Sequence, residues 1–269
     1  MSLQPLRVSL VQGATRWHDA PANRDYYGAL VRSCAGSDLI VLPETFLSGF
    51  SNDVGASAET MDGEGVAWLK ALAEEMDAVL CGSLAIRGDD GRVYNRLLWM
   101  RPDGSFATYD KRHLFRMAGE HTRYGSGRER LIVELDGWRV LPQVCYDLRF
   151  PVWLRNRRME GAPGGMDYDL SVFVANWPAP RREPWRVLLR ARAIENLSYV
   201  VGVNRVGVDG NGLAYAGDSA AIDPQGQMMI AFGAQEQVAT VTLDPAALLA
   251  HRERFPAWMD ADAFTLQLP

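Results

Sequence analysis

The chain has no two cysteines placed to act together. Cys34, Cys81 and Cys145 are odd in number, far apart and outside any CxxC arrangement, which excludes a disulfide framework and a zinc finger and fits a reducing compartment. No apolar run reaches the roughly 18 residues that a membrane helix needs. The start, Met1 through Arg7, has neither the basic beginning nor the apolar core of a secretory leader, so the sequence reads as a soluble, cytoplasmic protein with no membrane partner. Positive charge is not in excess. Lys and Arg total 28 against 33 Asp and Glu, a formal net charge of −5 that offers nucleic acid no general attraction. GxGxxG, the P-loop GK[ST], HExxH and GxSxG are all missing. The four histidines, at 18, 113, 121 and 251, follow no metal-ligand spacing, so no metal is expected.

What is present is an ordinary globular composition, 48% hydrophobic and 23% charged, which allows a large core. The 269 residues amount to about 1.8 average domains, so length leaves one domain or two open. Short β-branched runs alternate with helical patterns: strands are expected over 6–11, 38–42, 78–86, 93–100 and 170–175, and helices over 22–35, 65–76, 183–197 and 245–252. Turn sequences such as Gly88-Asp89-Asp90-Gly91, Leu135-Asp136-Gly137 and Asp223-Pro224-Gln225-Gly226 join neighbouring strands, which predicts a mixed sheet. The most flexible stretch, Gly161 to Gly165, sits between an expected helix and a buried-looking strand, so it reads as a loop within one domain.

Three polar residues stand where apolar strands end. Glu44 follows Ile40-Val41-Leu42-Pro43, and Pro43 stops the ladder so that the carboxylate projects at the sheet's carboxyl edge, where open α/β sheets bind ligands. Cys145 follows the strand at 140–144 and precedes a possible helix start, a position that lowers a thiol pKa and offers N–H groups to an oxyanion. Lys111 follows a third strand in Tyr109-Asp110-Lys111-Arg112-His113. Each has a plain structural reading as well: Glu44 as a turn cap, Cys145 as a small core residue like Cys34 and Cys81, Lys111 as part of a solvated basic face. Together they fit a base, a nucleophile and a cation.

The segments VLPETF, YDKRHLF followed by GE, and VCYDLRFP resemble the nitrilase superfamily of carbon–nitrogen hydrolases, with its Glu–Lys–Cys triad in that order. Asn176-Trp177-Pro178, Arg192 to Asn196 and Gly217-Asp218-Ser219 extend the likeness over nearly the whole chain, and the omega-amidase branch is the most similar. The resemblance implies a four-layer α-β-β-α sandwich of two mixed sheets forming a single domain over 1–269. It implies Cys145 as nucleophile, Glu44 as general base, Lys111 as the cation beside the tetrahedral intermediate, Glu120 as a second acid and no cofactor. Lys111 and the Tyr146 N–H would face the oxyanion. Arg149 is the candidate for a substrate carboxylate, with a structural pair to Asp147 as the alternative; Tyr146, Phe150, Trp177 and Met117 are candidate pocket walls. Arg181, Arg182 and Arg186 are a second source of positive charge, and a solvated face is their plainer reading. His113 invites a papain-like pairing with Cys145, which the resemblance does not support. The expected substrate is a small omega-monoamide of a dicarboxylic acid, such as alpha-ketoglutaramate or succinamate. N-carbamoyl amino acid hydrolysis, nitrile hydrolysis and a non-catalytic binding or assembly role are the alternatives. A homodimer is implied, with Trp153, Trp185 and Trp258 as candidate anchors and the tail over 255–269 crossing to the partner.

Overall fold

The computed structural model describes residues 3–267. Its first half runs β1 (Leu6–Gln12), α1 (Ala20–Arg32), β2 (Leu39–Val41), the single turn α2 (Val54–Ser57), α3 (Glu64–Met76), β3 (Val79–Arg87), β4 (Val93–Met100) and β5 (Phe106–Asp110). β1, β2 and β3 are parallel neighbours, β4 pairs antiparallel with β3, and β5 antiparallel with β4. β5 therefore points the same way as β2 and β3, and their carboxyl ends share one edge.

The second half repeats the scheme. It runs β6 (Val133–Leu135), β7 (Trp138–Val144), α4 (Pro151–Leu154), β8 (Leu170–Ala175), α5 (Arg182–Asn196), β9 (Tyr199–Asn204), the small hairpin β10 (Val206–Val208) and β11 (Ala214–Ala216), β12 (Ala220–Ile222) and β13 (Met228–Ala231). β7, β8 and β9 are parallel, with β6 and β12 antiparallel on either side. β14 (Gln237–Leu243) then returns to the first sheet and pairs antiparallel with β1 along all seven residues, before α6 (Pro245–Arg254). The result is two mixed six-stranded sheets, in the orders β14-β1-β2-β3-β4-β5 and β13-β12-β9-β8-β7-β6.

Alternation along the strands sets the layers. Val8, Leu10, Leu39, Val41, Val79 and Trp99 share one continuous core with Val140, Val172, Val201 and Val203 of the other sheet. The opposite face of the first sheet, including Val11, Ile40, Leu80 and Leu98, is covered by Tyr27 and Val31 of α1 and Leu69 and Leu72 of α3. α5 covers the outside of the second sheet through Trp185 and Leu189, packed so closely that a Cβ on Gly202 would come 2.6 Å from Leu189. That order is helix, sheet, sheet, helix, as the resemblance implies. Among the described residues no helix is long and apolar enough to cross a membrane.

Several expectations shift. α1 begins at Ala20 because the Asp19 side chain accepts the Ala22 N–H and Pro21 suits the first turn. The helix expected after Cys145 is a 3₁₀ stretch, Cys145–Arg149, broken at Phe150 before the one-turn α4; the residue before Pro151 disfavours the α conformation. Trp153 and Trp185 are not surface anchors: they are 5% and 0% exposed. The Trp153 indole donates to Tyr109 and Gln143, and that of Trp185 to the Asp218 carbonyl. Trp258 packs on its own chain, against Gly165 and the Arg158 guanidinium. Residues 268 and 269 of the tail lie outside the described residues.

Candidate active site

The carboxyl ends of β2, β5, β7 and β8 converge where the two sheets meet, and each delivers one polar segment. After β2, Glu44 sits fully buried in a turn whose next residue, Thr45, has φ 39°, with the Thr45 N–H donating to Ser83. After β5, Lys111 is 1% exposed, and its N–H donates to the Asn95 carbonyl of β4. After β7, Cys145 has φ 46°, a left-handed backbone that is costly for a residue with a Cβ.

The side chains form one ionic cluster. Lys111 Nζ donates to Glu44 Oε1 at 3.0 Å and to both oxygens of Glu120 at 2.9 and 3.0 Å. Glu44 Oε1 also accepts from Asn95 Nδ2 at 2.7 Å, and Oε2 from the Asn176 N–H at 2.6 Å. Glu120 is buried and accepts the Phe115 N–H. Burial lowers the Lys111 pKa, but Glu120, Glu44 and the Cys145 sulfur outweigh it and hold the ammonium well above the ordinary lysine range. Burial pushes the Glu120 carboxyl up against the opposing pull of Lys111.

Cys145 departs from expectation in one respect. Burial first, then the Glu44 charge, push its thiol well above the ordinary range, with Lys111 opposing and a hydrogen bond to Glu44 adding to the rise. A five-residue 3₁₀ stretch supplies too little dipole to reverse this. The thiol proton is thus held firmly on the sulfur, beside the Glu44 carboxylate. Cys34 and Cys81 are core residues, as expected.

Asp147 holds the cysteine turn in place. Its Oδ2 accepts from the Val144 N–H and the Tyr109 hydroxyl, and its Oδ1 from the His113 N–H and ring Nδ1. The turn after β7 is thereby clamped to the segment after β5. His113 is spoken for, stacked on Phe150 with ring centroids 3.6 Å apart, and it does not line the cysteine's cavity. From outside, Arg192 of α5 donates through Nε and Nη2 to the Leu148 carbonyl.

Glu44, Lys111, Cys145 and Tyr146 open onto a cavity of about 670 Å3. Trp177 and Arg149 line it, the guanidinium 5.1 Å over the indole, so Arg149 is not the partner of Asp147. Arg181 lines it as well and lies over Phe115. Arg182 instead pairs with Asp218, and Arg186 with Glu183 on the surface. Two expected wall residues lie elsewhere. Met117 is 77% exposed on a short 3₁₀ turn, its sulfur against Arg181, while Phe150 turns to the neighbouring groove with His113. The wall also includes Asn176, Trp17, Phe50 and Phe115 from loops and Tyr215 from β11, and sequence reasoning did not connect the four aromatic residues to the site.

This fold and cluster define a class, and the family comparison agrees: the carbon–nitrogen hydrolase model matches residues 7–252, and the chain belongs to that family. The chain is 49% identical over 262 residues to the omega-amidase YafV of Escherichia coli K12, covering 97% of this chain and 98% of the relative. It is 33% identical to the 2-oxoglutaramate amidase of Bacillus subtilis, over 83% and 85% of the two chains. The crystal structure of XC1258 from Xanthomonas campestris, described as a CN-hydrolase superfamily protein with an arsenic adduct in the active site, superposes with a TM-score of 0.96 at 59% identity, covering 98% of this chain and all of that one. The protein is an amidase of the nitrilase superfamily.

Proposed function

We propose that the chain hydrolyses small omega-monoamides of dicarboxylic acids, such as 2-oxoglutaramate or succinamate, to acid and ammonia through a thioester on Cys145. The observation that carries the reading is the pair Arg149 and Arg181 on the cavity that holds Glu44, Lys111 and Cys145. A guanidinium matches a carboxylate bidentately, so these cations suit a substrate whose far end is anionic. The relatives named omega-amidase and 2-oxoglutaramate amidase support the same substrate class.

In this mechanism Glu44 takes the thiol proton as Sγ attacks the amide carbon. The oxyanion faces Lys111 Nζ and the Tyr146 N–H, an early amide of the 3₁₀ stretch and so without a helical partner. Such a donor is worth about 3 kcal/mol to the transition state. Glu44 then gives its proton to the departing nitrogen, the C–N bond breaks, and ammonia leaves the thioester. Water, deprotonated by the same Glu44, releases the acid and restores the thiol. Glu120 keeps Lys111 charged and aimed.

Ammonia release from these monoamides, measured beside matched N-carbamoyl amino acids and nitriles, tests the assignment. Turnover of a carbamoyl compound or nitrile with none on any monoamide would overturn it. The protein is also proposed to be a cytoplasmic homodimer that meets its partner through the outer face of α5, where Val187 and Ile194 are about half exposed. A monomeric mass by light scattering at micromolar concentration would refute the dimer.

A further inference from the structure

Asn95 is the third residue of β4, paired with Ala85 of β3 and fully buried. Because β4 runs opposite to its neighbours, its first residues lie at the edge where β2 and β5 end. Asn95 does two things there. Its side-chain Nδ2 donates to Glu44 Oε1 at 2.7 Å, and its backbone carbonyl accepts the Lys111 N–H at 2.9 Å. The other end of the amide, Oδ1, is buried with no hydrogen-bond partner. Turning the amide over would not help, since two acceptor oxygens would then face each other 2.7 Å apart. A buried, unsatisfied carbonyl oxygen is costly for a fold to retain, and here the retained gain is the donor on Glu44.

The donors are divided unequally between the two oxygens of Glu44. Oε1 receives two, Asn95 Nδ2 and Lys111 Nζ, which fill its lone pairs; Oε2 receives one, the Asn176 N–H. Neither donor on Oε1 can accept a proton in return, because an amide NH2 and an ammonium only donate. We infer that Asn95 is a positioning residue: by occupying Oε1 it fixes the Glu44 carboxylate in one orientation and leaves Oε2 as the oxygen that takes the proton from Cys145 and passes it to the departing nitrogen. The proton count balances. The Sγ proton moves to Oε2 as the S–C bond forms, and from Oε2 to nitrogen as the C–N bond breaks. Asn95 does not line the catalytic cavity, so it acts through Glu44 and not on substrate.

The titratable and charged groups that face Glu44 are Lys111, Glu120 and Cys145, with Tyr124 and Tyr215 further out. Without the Asn95 donor, Oε1 keeps only Lys111 Nζ, and the carboxylate loses one of the three hydrogen bonds that fix its orientation.

The test compares Asn95→Leu, close in size and without a donor, with Asn95→Ser, whose hydroxyl restores a donor in the same strand. The inference rests on the amidase reading, so two measurements are paired. With a monoamide as substrate, Asn95→Leu is expected to lose about 10- to 100-fold in kcat, the weight of a hydrogen bond to a charged group. KM should change little, and Asn95→Ser should recover part of the lost kcat. Without any substrate, the rate of Cys145 alkylation by iodoacetamide at pH 7 should fall in Asn95→Leu and recover in part in Asn95→Ser, which keeps the inference testable even if the substrate class proves different. A kcat and an alkylation rate both unchanged in Asn95→Leu, in a variant with the wild-type circular dichroism spectrum, would overturn it. If Asn95→Leu does not fold, the same two rates read on Asn95→Ser decide, since its longer, weaker hydrogen bond must lower both.

Discussion

At the scale of single residues, Cys145 is set apart by how firmly its surroundings keep the thiol proton in place. With the Cys145 thiol held up by burial and by Glu44, the proton-bound form dominates through neutral pH and beyond, and deprotonation increases only as pH rises toward the elevated value. Iodoacetamide alkylation of the free enzyme should therefore keep accelerating up to pH 9; a plateau reached by pH 7 would indicate a thiolate already paired with Lys111. Arg149→Met is expected to raise KM for a carboxylate-bearing monoamide about 10- to 100-fold, the value of one charged hydrogen bond of about 1.5–3 kcal/mol. It should leave an uncharged short amide unaffected, so an equal loss on both substrates would remove Arg149 from recognition. Cys145→Gly should abolish turnover and yet unfold at higher temperature than Cys145→Ala in calorimetry, because φ 46° suits a residue without a Cβ.

At the scale of elements, what could be read in advance depended on how local the signal was. β4 is found at the residues its alternation and its Gly88–Gly91 turn predict, α3 starts one residue earlier than expected, and α5 is shifted by one residue at both ends. Glu44, Lys111 and Cys145 were legible because each follows an apolar run. Asn95 carried no such mark: a polar residue inside a strand looks like the outward half of an alternation, and only the opposing sheet shows that it is buried, whereas Asn176, which follows the apolar run of β8, stood out only within the Asn176-Trp177-Pro178 likeness. Met117 and Phe150 were misplaced for the complementary reason. They neighbour Glu120 and Cys145 in sequence, but a 3₁₀ turn and a pre-proline break point them away from the cavity. α6 offers a test at this scale. Its Arg252, 1% exposed, donates to Asp169, to the Tyr168 carbonyl and to the Leu197 carbonyl. Arg252→Met leaves Asp169 with its longer contact to Arg139 alone and is expected to cost about 3–5 kcal/mol in urea denaturation. Activity of the remaining folded protein should persist, since Arg252 does not line the cavity.

At the scale of the whole molecule, the cavity exists only because two sheets, each assembled mainly from its own half of the chain, present their carboxyl edges to each other. No window of sequence contains that meeting, which is why Trp17, Phe50 and Tyr215 could not be joined to Cys145 beforehand. The halves are also tied by exchange: β14, the last strand, crosses to the first sheet and completes β1. A chain ending at residue 236 would lose β14 and α6, uncovering an edge that includes the buried Val8 and Leu10. It is expected in the insoluble fraction, and soluble, active material would show that β14 is dispensable. The same pairing bears on how the protein is made. Ser9 Oγ meets Thr240 Oγ1 across 231 residues of sequence. At roughly 5–20 residues per second, β1 waits on the order of ten seconds or more after synthesis for its neighbour to emerge. During that interval the nascent sheet presents an open edge to every other chain nearby, and the polar Arg7, Ser9 and Gln12, spaced along β1, make that edge less inviting to a stray apolar strand.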